Sequence, residues 1–312
     1  MSWIHVAGYD YPQGWGQLPD AQERARSYCR QLEEGGILYF DHPPFDLPRA
    51  DREFLLSRKQ SGLRIHKNVS YRPKSDLLRG AANDDPEANQ RLAEIMRSYS
   101  KNVIDFLDHF LSPYAGKRQI DFASFRPVEE QNRGLPLHKR NDLMHVDSFP
   151  TRPTNGGRIL RVFTNVNPSQ NRVWHVTEPF EGIAKRMAND AGLSRYAAGA
   201  HSPVRVLRRT IAPIFRTIGV KTIDRSPYDQ FMLHFHDWLK ENNDYQEKYE
   251  KTRIEFPPYS TWMVYTDTVP HAVMSGQFAM EQTFIVPVEA MVAPQKSPLK
   301  LLEAMCGTAL AN

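Results

Sequence analysis

His145 and Asp147 stand two residues apart in "HVDSFPTRPTNGGRILRVFTNVNP", residues 145–168, and that spacing has a chemical meaning. In an extended segment, residues i and i+2 point to one face. An imidazole and a carboxylate then look the same way, and Val146 looks the other. Such a pair plus one distant histidine makes the facial triad of non-haem Fe(II) oxygenases, which leaves coordination positions open for a co-substrate and dioxygen. A later stretch, "STWMVYTDTVPHAVMSGQFAMEQTFIVPV", supplies the third ligand: an apolar strand ends at Asp267, His271 follows Pro270, and another strand begins near Phe278. A hairpin of that form returns His271 beside the first pair. Alone, H-x-D is a weak signal, because a capped turn or a surface pair has the same letters. The turn with its two glycines, the arginine-bearing strand and the late histidine together assign His145, Asp147 and His271 to a metal. His234 and His236 in "MLHFHDWL" are a poor chelate. Phe231, Phe235, Trp238 and Leu239 give that stretch a helical period, and i and i+2 diverge around a helix. His175, beside Trp174 in a strand, reads as packed or substrate-facing.

Oxygenases with this triad usually take 2-oxoglutarate, whose 2-oxo acid chelates iron. Its far carboxylate needs a deep cation, and arginine serves best because its fork binds a carboxylate through two N–H groups. In many such enzymes that cation follows the distal histidine on the next strand. Here the stretch "SGQFAMEQTFIVPV" contains neither Arg nor Lys, and Met280, Glu281 or Gln282 fills the slot. Alternation along "GRILRVFTNVN" offers a replacement: Arg161, Phe163 and Asn165 share one face, and Leu160, Val162 and Thr164 the other. If Asn165 looks inward, Arg161 is the anchor. Arg158, nearer the strand start, is the second candidate, and either arginine has the alternative of a surface ion pair. Asn165, Trp174, Gln282 and Thr283 are expected to add hydrogen bonds or a wall to the co-substrate pocket.

The elements that must position these residues follow a coarse plan. "PDAQERARSYCRQLEEGG" predicts a helix capped by Asp20 and ended by Gly35-Gly36. "ILYFD" predicts a strand and "RADREFLLSRK" a helix, while residues 60–85 read as polar loop. The stretch from Asp85 to Tyr114 predicts a long amphipathic helix with Asp85 as cap and Pro86 at its first position. Short β-type runs then appear near 121–126, 143–147, 158–166, 171–177, 252–256, 261–267 and 278–288. The reading is one α+β domain over 1–312: a mainly helical flank at 1–115, then a β core at 116–290 with a helical, basic insertion at about 180–250.

Composition bounds the class. At 40% hydrophobic and 24% charged, 312 residues suit one large globular domain, with or without an inserted subdomain. The net charge of +4 is too small to argue for nucleic acid, and no recognition motif accompanies it. Cys29 and Cys306 make neither a disulfide framework nor a zinc site, which favours a reducing compartment. The start lacks a basic and then apolar leader, and no apolar run reaches the ~18 residues of a spanning helix. A cytoplasmic protein, free or peripheral on a membrane, is expected.

"GGILYFDHPPFDL", "HVDSFPTRPTNGGRILRVFTNVNP", "RVWHVTEPFE" and "PHAVMSGQ" together resemble the 3-deoxy-D-manno-oct-2-ulosonic acid (Kdo) hydroxylase family of Gram-negative bacteria, over residues about 30 to 290. The resemblance implies an Fe(II)- and 2-oxoglutarate-dependent dioxygenase built as a double-stranded β-helix, a jelly-roll or cupin-like barrel, with flanking helices. It implies hydroxylation of Kdo at C3 to give Ko, D-glycero-D-talo-oct-2-ulosonic acid, in the lipopolysaccharide inner core, with Kdo-lipid A as acceptor. Its iron ligands carry over to His145, Asp147 and His271.

One feature of the residues themselves suits a lipid-linked acidic sugar. Within the insertion, "SPVRVLRRTIAPIFRTIGVKTIDRS" interleaves Arg205, Arg208, Arg209, Arg216, Lys221 and Arg225 with Ile211, Ile214, Phe215, Ile218 and Val220. Basic and apolar residues mixed in this way suit a phosphorylated, acylated glycolipid or an anionic bilayer surface. A solvated basic helix packed by its apolar side on the barrel explains the same letters equally well. Arg205, Arg208 and Arg209, with Arg152 in the loop after Asp147, are the expected substrate-binding residues, and peripheral contact with the cytoplasmic face of the inner membrane is expected. The alternatives are a 2-oxoglutarate oxygenase of another substrate, or a cupin-like barrel that binds lipid or metal without turnover.

Overall fold

The first third of the chain packs helices by their apolar stripes onto a sheet. A computed structural model describes residues 2–6, 19–58, 68–81, 85–131, 134–200 and 225–311. Helix α1 (Ala21–Glu33) buries Ala21, Ala25, Cys29 and Leu32, one face of its turn. Asp20 precedes it but does not cap it; its carboxylate instead accepts from Arg24 Nε at 2.7 Å. Helix α2 (Arg49–Ser57) leads towards α3 (Pro86–Phe110). The start of α3 is set by local chemistry. Asp85 accepts from the Ala88 N–H at 2.9 Å, and Pro86 occupies the first position, where no backbone partner exists for an N–H. Leu92, Ile95, Met96, Val103 and Leu107 of α3 share one apolar core with strand residues Leu160, Val162, Met280 and Phe284.

The strands are β1 (Trp3–His5), β2 (Ile37–Phe40), β3 (Val69–Arg72), β4 (Leu77–Arg79), β5 (Gln119–Arg126), β6 (Arg158–Asn165), β7 (Arg172–Val176), β8 (Thr252–Phe256), β9 (Thr261–Tyr265), β10 (His271–Ser275) and β11 (Ala279–Val286). They form a large sheet in the order β1-β2-β9-β6-β11-β5-β3-β4 and a small one in the order β10-β7-β8. Successive strands β8, β9, β10 and β11 alternate between the two sheets, which is the winding of a jelly roll. The fold is α+β, a double-stranded β-helix with flanking helices. Phe163, Trp174, Phe256, Trp262, Val264 and Val273 fill the space between the sheets. The face of β6 that carries Phe163 is therefore the interior face of the barrel.

Two further local readings differ from the structure. β3 and β4 form a hairpin inside the stretch read as loop. Each is only three or four residues long, and β3 is held by pairing with β5 (Ser70↔Ser124), a partner distant in sequence. Residues 143–147 do not form a regular strand; His145 makes a single antiparallel bridge to His271.

After β7 come α4 (Phe180–Met187) and α5 (Leu193–Ala200), and before β8 come α6 (Pro227–Glu241) and α7 (Asn243–Lys248). With α8 (Pro298–Cys306) they build a second apolar core around Phe180, Ile183, Phe231, Phe235 and Leu302. Val146 belongs to this core and is fully buried. The loop of residues 150–157 is tied to the same helices, since Asp229 Oδ1 accepts from the backbone N–H groups of Thr154 at 2.8 Å and Asn155 at 3.1 Å. That loop turns at Gly156, where φ is +90° and a Cβ would lie 2.5 Å from Leu299 Cδ2. Arg205, Arg208 and Arg209 lie outside the described residues. No described helix is long and apolar enough to cross a membrane.

Candidate metal centre and co-substrate pocket

Val146 is the wedge that aims the metal-binding pair. With Val146 sunk into the helical core, its neighbours His145 and Asp147 turn towards the barrel interior. Backbone bonds hold them there: His145 N–H donates to His271 O at 3.1 Å, His271 N–H donates to His145 O at 2.9 Å, and Asp147 N–H donates to Thr266 O at 2.8 Å. One ligand-type atom from each of His145, Asp147 and His271 lies within 4.8 Å of the others. Both imidazoles are oriented by their second nitrogen. His145 Nδ1 is 2.7 Å from Leu143 O, and His271 Nδ1 is 2.9 Å from Val269 O. A carbonyl only accepts, so in each ring Nδ1 carries the proton and Nε2 keeps its lone pair for a metal.

The electrostatics agree with a metal site. Burial pushes the His145 imidazole well below its ordinary value, helped by His271 and His236, and burial likewise lowers His271. Both rings are neutral at neutral pH, the state that ligates. Burial alone would raise the Asp147 carboxyl, but Arg161, His271 and His145 outweigh it and hold the group below the carboxylate range. Asp147 Oδ2 is buried and accepts no hydrogen bond. Two imidazole nitrogens with an open lone pair and one under-satisfied carboxylate are the donor set of the iron facial triad.

Rings wall this centre. Trp174 stacks on His271 with centroids 4.8 Å apart, and the His236 ring stands edge-on to His145 at 4.9 Å. His236 Nδ1 lies 2.7 Å from Val146 O, so this histidine braces the His145–Asp147 segment from outside. His234 and His236 form no chelating pair among the described residues, but His236 packs against the site, which helical period does not reveal because it says nothing of what a helix lies against.

The interior face of the large sheet then carries a buried run of charge. β6 and β11 pair Arg161 with Thr283 and Phe163 with Glu281, and β11 and β5 pair Ala279 with Arg126. Arg161 Nη2 lies 3.3 Å from Asp147 Oδ2, and Nη1 lies 3.5 Å from Glu281 Oε1. These are ion-pair distances without hydrogen bonds, and Arg161 Nε is buried with no partner. Arg126 donates to Glu281 Oε2 from Nη2 at 2.6 Å and from Nε at 3.0 Å. Arg172, on the face of β7 that carries Trp174, donates to Gly276 O at 3.1 Å and lies 3.5 Å from Glu130. Burial lowers Arg172 to about 10, although Glu130 opposes it. At Gly276, φ is +126° and a Cβ would meet the Arg172 backbone at 3.0 Å, so only glycine allows this approach.

The remaining expected pocket residues divide. Thr283 sits opposite Arg161 on the interior face. Arg158 does not: it lies on the other face of β6, fully buried, donating to Asp267 at 3.0 Å and to Thr268 Oγ1 at 2.6 Å and lying over the Tyr265 ring. Gln282 is likewise one residue out of phase and pairs with Val162; its amide donates to Asp121 O and Thr283 O. Asn165 shares the face of Arg161, but its amide is taken up by the carbonyls of Gln170, Phe256 and Pro257, so it holds a loop rather than a ligand. Arg126, Arg172 and Glu130 carry no signal that the sequence reading used, and Glu281 stood there only as one of three residues that fill the slot after His271. Alternation back from Trp174 reaches Arg172; the place of Arg126 depends on long-range register.

The chain matches, over residues 15–309, the family model described as 3-deoxy-D-manno-oct-2-ulosonic acid (Kdo) hydroxylase. It belongs to the Kdo hydroxylase family. Solved structures of the Kdo hydroxylase KdoO, described as a non-heme Fe(II) alphaketoglutarate-dependent dioxygenase, are similar over the whole chain. The complex with alphaketoglutarate and Fe(III) is 33% identical with a TM-score of 0.80, covering 100% of this chain and 98% of that one. The cobalt(II) complex is 34% identical with a TM-score of 0.81, over the same shares. The complex with succinate and Fe(III) is 33% identical with a TM-score of 0.81, again over 100% and 98%. No curated protein sequence matches the chain. The His145–Asp147–His271 cluster lies where the two sheets meet, and Arg161 of the interior face lies directly beside it.

Proposed function

We propose that this chain is an Fe(II)- and 2-oxoglutarate-dependent hydroxylase that converts Kdo to Ko at C3 on a Kdo-lipid A acceptor, at the cytoplasmic face of the inner membrane. The observation that carries the reading is the buried triad with a half-satisfied arginine at its side. His145 Nε2, His271 Nε2 and Asp147 would hold the metal. When bound, iron supplies the redox chemistry that couples oxidation of 2-oxoglutarate to hydroxylation of a C–H bond.

The protein's own residues do the rest. Arg161, with an unpartnered buried Nε and two loosely held carboxylates, would grip a carboxylate of 2-oxoglutarate. Arg126 and Arg172 offset the charges of Glu281 and Glu130. Trp174 and Phe163 exclude water from one side of the site, which strengthens each charge contact. Thr283 would add a hydroxyl beside Arg161. Arg205, Arg208 and Arg209 of the basic segment would meet lipid phosphates or the anionic leaflet.

The deciding experiment supplies Fe(II), 2-oxoglutarate, air and Kdo-lipid A, then measures succinate and the mass of the lipid. One added oxygen atom together with succinate is expected. Succinate formed only with an unrelated acceptor would replace this substrate with another. No succinate with any acceptor would leave a binding protein. Reversing Arg208 and Arg209 to Glu tests the membrane role. Vesicle cosedimentation should fall and lose its salt dependence, and equal sedimentation of both proteins refutes that role.

A further inference from the structure

Beyond the pocket assigned to 2-oxoglutarate, a second group of arginines lines the barrel mouth. Arg152 lies over the Phe122 ring at 4.0 Å and over the Phe149 ring at 4.4 Å. Arg72 lies over the same Phe122 ring at 4.8 Å. Phe149 in turn has Arg161 at 5.6 Å, and Arg161 is in contact with Asp147. Arg161 therefore links this group, through the Phe149 ring, to the metal ligand Asp147. All four of Arg72, Phe122, Phe149 and Arg152 are part-exposed, as the lining of an opening should be.

The charges there do not balance. Arg152 Nη1 donates to Asp121 Oδ1 at 2.8 Å. Arg72 has no ion pair among the described residues, and its Nε is buried without a hydrogen-bond partner. Asp121 Oδ2 is also buried without a partner. The mouth thus has guanidinium donors in excess, one spare carboxylate acceptor, and ring faces that hold the guanidiniums in place. Those features match a carboxylate attached to a hydroxyl-bearing ring.

We propose that Arg72 and Arg152 bind the carboxylate of the acceptor's acidic sugar and that Asp121 accepts from one of its hydroxyls; this rests on the Kdo reading above. The sugar's structure explains the location. In a 3-deoxy-oct-2-ulosonic acid the carboxylate carbon C1 is bonded to C2, and C2 to C3. When C3 faces the metal centre, the carboxylate has to sit next to it, at the mouth. A lipid phosphate lies farther along the acceptor, so these arginines are assigned to the sugar acid.

The test uses the iron-loaded enzyme with Kdo-lipid A, its Kdo methyl ester and its dephosphorylated form. Arg72→Ala should raise KM for the glycolipid about ten- to a hundredfold, the usual loss for a charge-assisted contact. KM for 2-oxoglutarate should move far less. Esterifying the carboxylate should cost wild type at least as much as Arg72→Ala does, because the Arg152 contact is lost as well, and should cost the variant clearly less than it costs wild type. Arg72→Gln, which keeps a longer polar side chain at this position, repeats the comparison in case Ala disturbs folding. The proposal is overturned if wild type uses ester and free acid equally, or if the two losses multiply. It is overturned in favour of a phosphate site if the Arg72→Ala penalty disappears on dephosphorylated lipid. If wild type hydroxylates no Kdo glycolipid, the substrate reading itself falls, and the subsite with it.

Discussion

Replacing Arg161 with alanine should do two separable things. In the protein without metal, Arg161 is the cation at 3.3 Å from Asp147, and the Asp147 side chain is only 13% exposed. At 3.3 Å and an effective dielectric near 20, the attraction is about 5 kcal/mol. Removing one partner of a buried ion pair costs about 3–5 kcal/mol, because the other charge stays buried. Glu281 is less affected, since Arg126 still donates to it twice. Apo Arg161→Ala should therefore lose about 3–5 kcal/mol in urea unfolding at pH 7. A divalent metal takes over the neutralisation of Asp147, so saturating cobalt(II), which avoids iron oxidation, should close most of that gap. In turnover the variant should need about ten- to a hundredfold more 2-oxoglutarate, the loss of one charged contact. A gap that cobalt(II) leaves unchanged, or an unaltered 2-oxoglutarate KM, would refute the role given to Arg161.

The other predictions contrast with this one. His271→Ala should remove metal binding, measured by equilibrium dialysis with cobalt(II), while far-UV circular dichroism stays native; stoichiometric metal binding by the variant would reject the ligand. Arg158→Ala should lose a similar amount of stability through Asp267, but with no rescue by metal and little change in 2-oxoglutarate KM, since Arg158 faces away from the barrel interior. The apo protein should be acid-labile from near neutrality. Burial lowers His145, His236 and His271 below the ordinary 6.5, so the unfolded chain binds more protons than the folded one in that window. Their contribution is complete above pH 6.5 and is lost as pH falls, by up to about 1.4 kcal/mol per pH unit for each ring. Urea titrations between pH 8 and 5 would read this, and a flat profile would show that these rings are not buried neutral.

What the sequence determined by itself was chemistry confined to short range. The Asp85–Pro86 helix start is a matter of adjacent residues, and His145 and Asp147 are neighbours whose common direction needs only an extended backbone. His271 was legible as a late histidine, but the expected hairpin does not form: β9 and β11 each pair with β6, and His271 opens β10 beside β7 in the other sheet. The strand period placed Arg161 and Phe163 on a common face without any knowledge of β6's partners. The tertiary structure decided everything that depends on which strand lies beside which. Gln282 and Glu281 differ by one residue, and the register of β11 against β6 sends Glu281 to the charge cluster and Gln282 to the opposite face. Arg158 became structural because Asp267, on a distant loop, folds against it. Arg126 and Arg172 come from different sheets to meet at Glu130, and Arg72 joins Arg152 only because the short hairpin of β3 and β4 adds to β5. Side-chain direction is local, fixed by the two-residue period of the backbone. Partnership across a barrel is set by pairing between segments tens to more than a hundred residues apart, and no local pattern of letters encodes it.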